Sequence, residues 1–295
     1  MLQITDSSVK LRAFGAVLFA VVVFSGEAVT LRTAAKYGVP MGPIAVAQCA
    51  VAALVQLAFG GRFAHVDWRR WWPALLTSCC NGLAFYLVVR VAPAALVGLI
   101  EPLSLAPLML GHRLLLHKPL TIGCTLALTL LIVASVTAVG QWPEEVGWLA
   151  IGFSTIGIFC SGLALVTGEA VPIQGLASFV LAMQSILMVF SAIVGLSVEF
   201  TSLAGQEGRL LSALAVGATT GLFVSLAVMA LYYGVTNLGA LRVGSIKMLR
   251  LPTIAVLAYF VVQEHASLTS ALALGAVVFF SILAVRLSVH EDLSA

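Results

Sequence analysis

Two basic residues, Lys247 and Arg250, stand inside Gly239–Val262, a stretch otherwise apolar and long enough to cross a bilayer. Placing one charge at membrane depth costs about 2.5–3.5 kcal/mol on insertion scales. At a rise of roughly 1.5 Å per residue, Lys247 falls about 12 Å and Arg250 about 17 Å in from Gly239. Both are too deep for a flexible stem to return the head to water, whereas Arg242, near the start of the stretch, is expected to reach the interface that way. Lys247 and Arg250 are three residues apart and share one helix face. Two acids, Glu101 and Glu27, also lie inside apolar runs. Charges of both signs at that depth suit a zwitterion, its ammonium toward an acid and its carboxylate toward Lys247 and Arg250. The basic pair alone suits a carboxylate or phosphate anion.

Around these charges stand neutral candidates for the same site. Asn81 is within two turns of Tyr86, and Tyr232 and Tyr233 hold the corresponding place further along the chain. Aromatic rings there can stack on a solute or simply fill the core. Gln48, Gln184 and Ser185 suit hydrogen bonds between helices. Glu27 is the candidate for carrying a coupled proton, with a pair to Arg32 on its own helix as the plain structural alternative. Glu169 is expected at a span end, in water. Pro102 and Pro252, with Pro107, remove helical hydrogen bonds beside the charges and are candidate hinges.

These residues need a membrane-spanning scaffold, and the composition supplies one. Of 295 residues 61% are hydrophobic and 9% charged, against about 25% charged in a soluble domain. Runs of about twenty apolar residues each make one span. They fall roughly at 11–35, 41–59, 71–89, 93–116, 120–140, 146–168, 173–198, 210–235, 239–262 and 268–287, ten in all. The longest connections are 60–70 and 199–209. Lys10 and Arg12 before the first run imitate a signal peptide, but the run continues to Ala35 and reads as a retained helix. Basic residues gather on one side (Lys10, Arg12, Arg62, Arg69, Arg70, Arg113, Lys118, Arg286). That bias puts both termini in the cytoplasm. Trp71, Trp72, Trp142 and Trp148 sit at expected span ends, as an aromatic belt requires. The five cysteines lie in apolar runs and read as packing residues.

The chain echoes itself. Ala84-Phe85-Tyr86 matches Ala230-Leu231-Tyr232 at a spacing of 146 residues (230 − 84), and Ala94, Val97 and Gly98 match Ala240, Val243 and Gly244 at the same spacing. Leu120–Gly123 echoes Leu272–Gly275 at a spacing of 152 (275 − 123), and Gly26–Val29 echoes Gly168–Val171 at 142 (168 − 26). The order is shared, so the chain divides into residues 1–140 and 141–295, each with five spans. An odd number of crossings makes the second copy inverted. The 146-residue spacing pairs Glu101 with Lys247, and Glu101 and Arg250 fall at similar depths by helical rise. An ion pair across the two halves, opened by a solute, is the expectation; a permanent tie between helices is its alternative.

With Ala92–Pro107 (APAALVGLIEPLSLAP) and Leu238–His265 (LGALRVGSIKMLRLPTIAVLAYFVVQEH), the chain resembles the drug/metabolite transporter superfamily in its ten-span EamA-type branch. Both segments look like that family's small-residue fourth and ninth helices with a proline in mid-helix, and Glu264 resembles the acid that commonly ends the ninth. Near Leu114, the matching place in the first copy, there is no acid. The resemblance implies an all-α membrane protein of two inverted five-helix repeats around a central cavity, acting as a secondary carrier in a bacterial inner membrane.

The leading expectation is a transporter, working as an exporter, for a small polar or zwitterionic metabolite such as an amino acid, acting by alternating access as a monomer or homodimer in membrane lipid. Its site would draw on Glu27, Asn81, Tyr86, Glu101, Tyr232, Lys247 and Arg250. The alternatives are an exchanger of organic anions or sugar phosphates and a non-transporting sensor. There is no Walker A loop, HExxH, EF-hand or GxSxG pattern, and the only aspartates, Asp6, Asp67 and Asp292, lie in polar ends or loops. Those absences leave a cofactor, a metal, a nucleic-acid partner and an enzymatic reaction without support from sequence motifs.

Overall fold

The computed structural model describes residues 2–91, 100–118, 120–139, 148–203, 207–262 and 268–294. Their regular structure is entirely helical. The helices are α1 (Leu2–Lys36), α2 (Met41–Ala58), α3 (Trp68–Val91), α4 (Leu105–Leu114), α5 (Ile122–Val139), α6 (Trp148–Gly168), α7 (Leu176–Leu203), α8 (Glu207–Leu238), α9 (Ala240–Lys247), α10 (Arg250–Val262) and α11 (Leu268–Ser294). Seven helical runs among the described residues are long and apolar enough to cross a bilayer, with α9 and α10 together forming one of them. This is an α-helical integral membrane protein. Large side chains such as Ile122, Trp148, Leu211 and Phe260 lie exposed on its outer faces, where lipid tails rather than water are their natural neighbours.

Small residues decide which helices meet. α2 lies against α7 and α8, α1 against α8 and α10, α3 against α6, and α5 against α11. A Cβ on Gly217 would meet the Ile44 carbonyl oxygen at 2.5 Å, and one on Gly221 the Gln48 carbonyl oxygen at 2.5 Å. These glycines, one turn apart on α8, bring its backbone directly onto α2.

The basic stretch is one helix in two pieces. α9 ends at Lys247, two residues form a turn, and α10 begins at Arg250. Met248, Leu249 and Leu251 donate their amides three residues back rather than four, at 3.3, 3.0 and 3.1 Å. Pro252 is the cause: it lacks the N–H that would bond the Met248 carbonyl, so the ladder breaks one turn ahead of it. The first half behaves alike. Residues 100–103 are helical, Ser104 makes a turn, and α4 restarts at Leu105 with Pro107 as its third residue, as Pro252 is of α10. The break therefore belongs to Pro107, whose missing N–H faces the Leu103 carbonyl. Pro102 lies before it, and its own lost bond would go to residue 98, outside the described residues. Each break leaves its charged residues at or beside a helix end.

Several expectations change. The stretch 199–209 is helical up to Leu203 and again from Glu207 rather than a loop. Trp71 is 4% exposed and packs edge-on against Phe179 with ring centroids 6.3 Å apart; it is a core residue, while Trp72 and Trp148 are exposed. Trp142, Glu264 and the boundary at 140/141 lie outside the described residues, as do Ala94, Val97 and Gly98 of the repeat.

Candidate functional site

Glu101 is the hub. One carboxylate oxygen lies 2.7 Å from Lys247 Nζ, and the other accepts from Arg250 Nη1 at 2.8 Å. The three side chains are 15%, 8% and 8% exposed, respectively. The cations have further ties. Lys247 Nζ donates to Ser161 Oγ on α6 at 3.1 Å. Arg250 Nη2 donates to the Phe24 carbonyl on α1 at 3.0 Å. The Arg250 guanidinium also sits 5.7 Å from the Phe24 ring and 5.6 Å from the Phe85 ring, between two aromatic faces. Its Nε, buried, has no hydrogen-bond partner.

Beside this cluster is a cavity of about 400 Å³. All seven residues singled out from the sequence, Glu27, Asn81, Tyr86, Glu101, Tyr232, Lys247 and Arg250, line it; Pro102 and Pro252 do not. Most of the rest of the wall is apolar, Leu187, Val228 and Ile254 among it. The lining on α1 runs from Phe24 through Glu27 and Arg32 to Ala35, one residue short of the helix end, and on α10 from Arg250 to Ala258. The cavity thus extends toward the ends where α1 and α10 finish.

The opposite end is shut. The Tyr232 and Ser78 hydroxyls are hydrogen-bonded, and Thr77 Oγ1 meets Thr167 Oγ1 at 3.1 Å. The Phe179 ring stands 4.9 Å from that of Tyr232. Gly168 permits this closure, because a Cβ there would collide with the Tyr232 ring. Behind it, Glu169 ties three segments: Oε2 pairs with Lys118 Nζ at 3.1 Å, and Oε1 accepts from the Ala240 amide at 2.6 Å. That amide opens α9 directly after Gly239, whose φ of +86° only glycine adopts without strain. Glu169 is therefore a structural tie, not a solvated end residue.

Glu27 takes its position from a buried amide on α2. Its Oε1 accepts from Gln48 Nε2 at 2.6 Å, and Gln48 Oε1 in turn accepts from Thr220 Oγ1 at 3.0 Å. Arg242 is buried rather than interfacial, donating to the Ser288 carbonyl at 2.9 Å. Tyr233 does not line the cavity. Sequence reasoning missed Ser161, Thr220, Ser78 and Phe24. Only Phe24 carried a signal, one turn before Glu27 on the same face. The others are ordinary hydroxyls in apolar helices, and only their neighbours in space set them apart.

No family model matches the sequence, and no curated protein matches it. The chain is similar to a solved structure described only as "Crystal structure of protein", at a TM-score of 0.62 and 16% identity, over 94% of this chain and 96% of that one. The likeness spans both chains almost end to end and establishes a shared fold.

Proposed function

We propose that the protein is a secondary transporter, an exporter in its principal direction, for a small zwitterionic metabolite such as an amino acid. It works by alternating access and belongs to the EamA-type branch of the drug/metabolite transporters. The observation that carries this is the Glu101–Lys247–Arg250 cluster, buried yet facing a solute-sized cavity closed at one end. Buried ion pairs are poor stabilisers in themselves, and charges at such depth usually mark a path. The ten spans of this reading are the seven runs long and apolar enough to cross, together with α3, the 100–114 segment and α5. An inverted repeat accounts for the packing: α3 on α6 is matched by α8 on α1, and the α2–α7 and α5–α11 pairs would lie on the pseudo-axis. The twin proline breaks ahead of Pro107 and Pro252 fit the same symmetry. With both termini in the cytoplasm of a bacterial inner membrane, the open end of the cavity faces outward.

The test is counterflow of labelled amino acids in proteoliposomes. Wild-type protein should accelerate exchange, and Glu101→Gln and Lys247→Met should each abolish it; wild-type rates in both variants would end the proposal. One observation favours the organic-anion alternative: Glu101 meets two cations, so the cluster retains a positive charge. Exchange that survives removal of the solute's amine would select that reading.

A further inference from the structure

Glu101 already faces two cations, which leaves Glu27 as the carboxylate in the cavity without a cationic hydrogen-bond partner among the contacts that position it. Its partner is instead an amide whose own position is fixed. Gln48 is 2% exposed and lies where Gly217 and Gly221 bring α8 against α2, with Thr220 between those glycines in sequence. As arranged, Gln48 Nε2 donates to Glu27 Oε1 at 2.6 Å and Thr220 Oγ1 donates to Gln48 Oε1 at 3.0 Å. This serves an ionised Glu27, which accepts only; a protonated Glu27 can keep the same bond only by carrying its proton on the other oxygen, away from the amide.

Thr220 has a second acceptor. Its hydroxyl is also 2.9 Å from the Val216 carbonyl one turn back on α8. A hydroxyl carries a single proton and can use either acceptor. Rotate the Gln48 amide by half a turn and the chain reverses. A protonated Glu27 donates to Gln48 Oε1, Gln48 Nε2 donates to Thr220 Oγ1, and Thr220 donates to Val216. The Gln48 oxygen and nitrogen and the Thr220 hydroxyl each keep a partner in either state, and stranding such an atom is what normally makes a buried group keep a single protonation state.

Resting on the carrier reading above, we infer that Gln48 and Thr220 form a two-way relay that serves Glu27 as acid and, with the stronger bond, as carboxylate, and that a proton and the solute's ammonium group compete for Glu27. The exchange balances: the protonated carboxyl plus an incoming ammonium gives a carboxylate–ammonium pair and one proton released to water in the cavity. Gln48 is a positioning residue, and Glu27 is the group that touches solute. The titratable groups facing Glu27 are Arg32 on its own helix, Cys49 on α2, Tyr86 on α3, Glu101 before α4, Lys247 on α9 and Arg250 on α10. None of them takes part in the relay, so they set its pH window without replacing it.

The test is proton release on ligand binding, read with a pH indicator in lightly buffered, detergent-purified full-length protein, using methylammonium and L-alanine as separate probes across a range of pH. Wild-type protein should release up to about one proton per bound ammonium at the acid end of its window, as linkage requires, and Glu27→Gln none. In Gln48→Leu and Thr220→Val the pH window of release should move by about one unit or more, since a hydrogen bond to a charged group is lost. Thr220→Ser should keep the wild-type window. Thr220→Val is close to isosteric and carries the test if Gln48→Leu does not fold. Methylammonium bound without proton release, no release with either probe, or windows in both variants that coincide with wild type would overturn the relay. Release with methylammonium but no binding of L-alanine would leave the relay standing and remove the zwitterion reading. L-alanine bound and exchanged without release would do the reverse.

Discussion

Removing the Glu101 charge and removing the Lys247 charge should have very unequal effects on stability and the same effect on transport. In Glu101→Gln, Lys247 and Arg250 lose the carboxylate that each touches, at 2.7 and 2.8 Å. Two cations held about 6 Å apart across a missing anion repel by about 3 kcal/mol at an effective dielectric near 20. Breaking a buried pair by deleting one partner costs about 3–5 kcal/mol by comparison with other proteins. Ser161 and the Phe24 carbonyl remain as acceptors, but neither carries charge. In Lys247→Met, Glu101 keeps Arg250, one cation faces one anion, and the excess charge is gone; the change should lie within about 1 kcal/mol of wild type, as replacing buried charge by an apolar side chain often does. Thermal unfolding in detergent reads the difference. Glu101→Gln should fall by on the order of 10 °C, taking roughly 2–4 °C per kcal/mol, and Lys247→Met by no more than about 3 °C on the same scale. The double variant should recover part of the Glu101→Gln loss, because one uncompensated cation has been removed. If the single variants are equally destabilised, or the double variant is the least stable of the three, the charge argument is wrong. If Lys247→Met is stable and still transports, the cluster is only a tie between helices.

Three further outcomes are expected. A Cβ on Gly162 would run into the Ser104 and Leu108 backbone where α4 crosses α6, whereas one on Gly152 meets nothing within 4 Å. Gly162→Ala should therefore lower the thermal midpoint, and Gly152→Ala should leave it equal or raise it by the helix-propensity gain of about 0.5–1 kcal/mol. Tyr232→Phe deletes the hydroxyl bond to Ser78 at the shut end, worth about 0.5–1.5 kcal/mol. Alkylation of the neighbouring buried Cys79, followed by mass spectrometry, should speed up about two- to twelve-fold by the same energy; an unchanged rate would mean the tyrosine does not hold that end closed. Pro252→Ala supplies the missing amide for a regular four-residue bond to the Met248 carbonyl, which now accepts only the three-residue bond from Leu251, and should stiffen the break between α9 and α10. The variant should be at least as stable as wild type and slower in counterflow, and full transport activity would show that the break is not a hinge.

What could be read from the sequence was whatever violated its background. A charge in an apolar run stands out at once, so Glu27, Glu101, Lys247 and Arg250 were visible, and helical rise was enough to set Glu101 level with Arg250. The apolar runs themselves marked the helical membrane class. Partners across helices were not visible, because nothing in one helix states which face another presents. Gln48 looked like any amide suited to helix packing, and its use depends on the close crossing that Gly217 and Gly221 allow on α8. Arg242 and Glu169 failed for a related reason. Helical rise gives depth along a helix, yet a residue near a helix end is buried wherever another segment folds over it, as Ser288 does over Arg242 and as Lys118 and Ala240 do over Glu169. Trp71 misled because a tryptophan at a span end can face lipid or protein, and Gly175 leaves room for it to face protein.

The two ends of the cavity are held by different kinds of contact, and this bears on how the molecule would turn over. At its mid-level the ionic ties to Lys247 and Arg250 converge on Glu101. At the shut end they are mostly hydroxyl pairs, an edge-on ring contact, and the Glu169 bridge to a lysine that is half exposed. Neutral hydrogen bonds are worth about 1 kcal/mol each, and a pair with an exposed lysine about as much or less. Opening that end thus costs a few kcal/mol, an amount that differential binding of a small solute to the two states can supply. A cluster of buried ion pairs at the shut end would have been far harder to part. On the carrier reading proposed above, charges where the solute would sit and weaker contacts where the protein would open let the solute loosen the strong tie directly while the closure remains within reach of thermal motion.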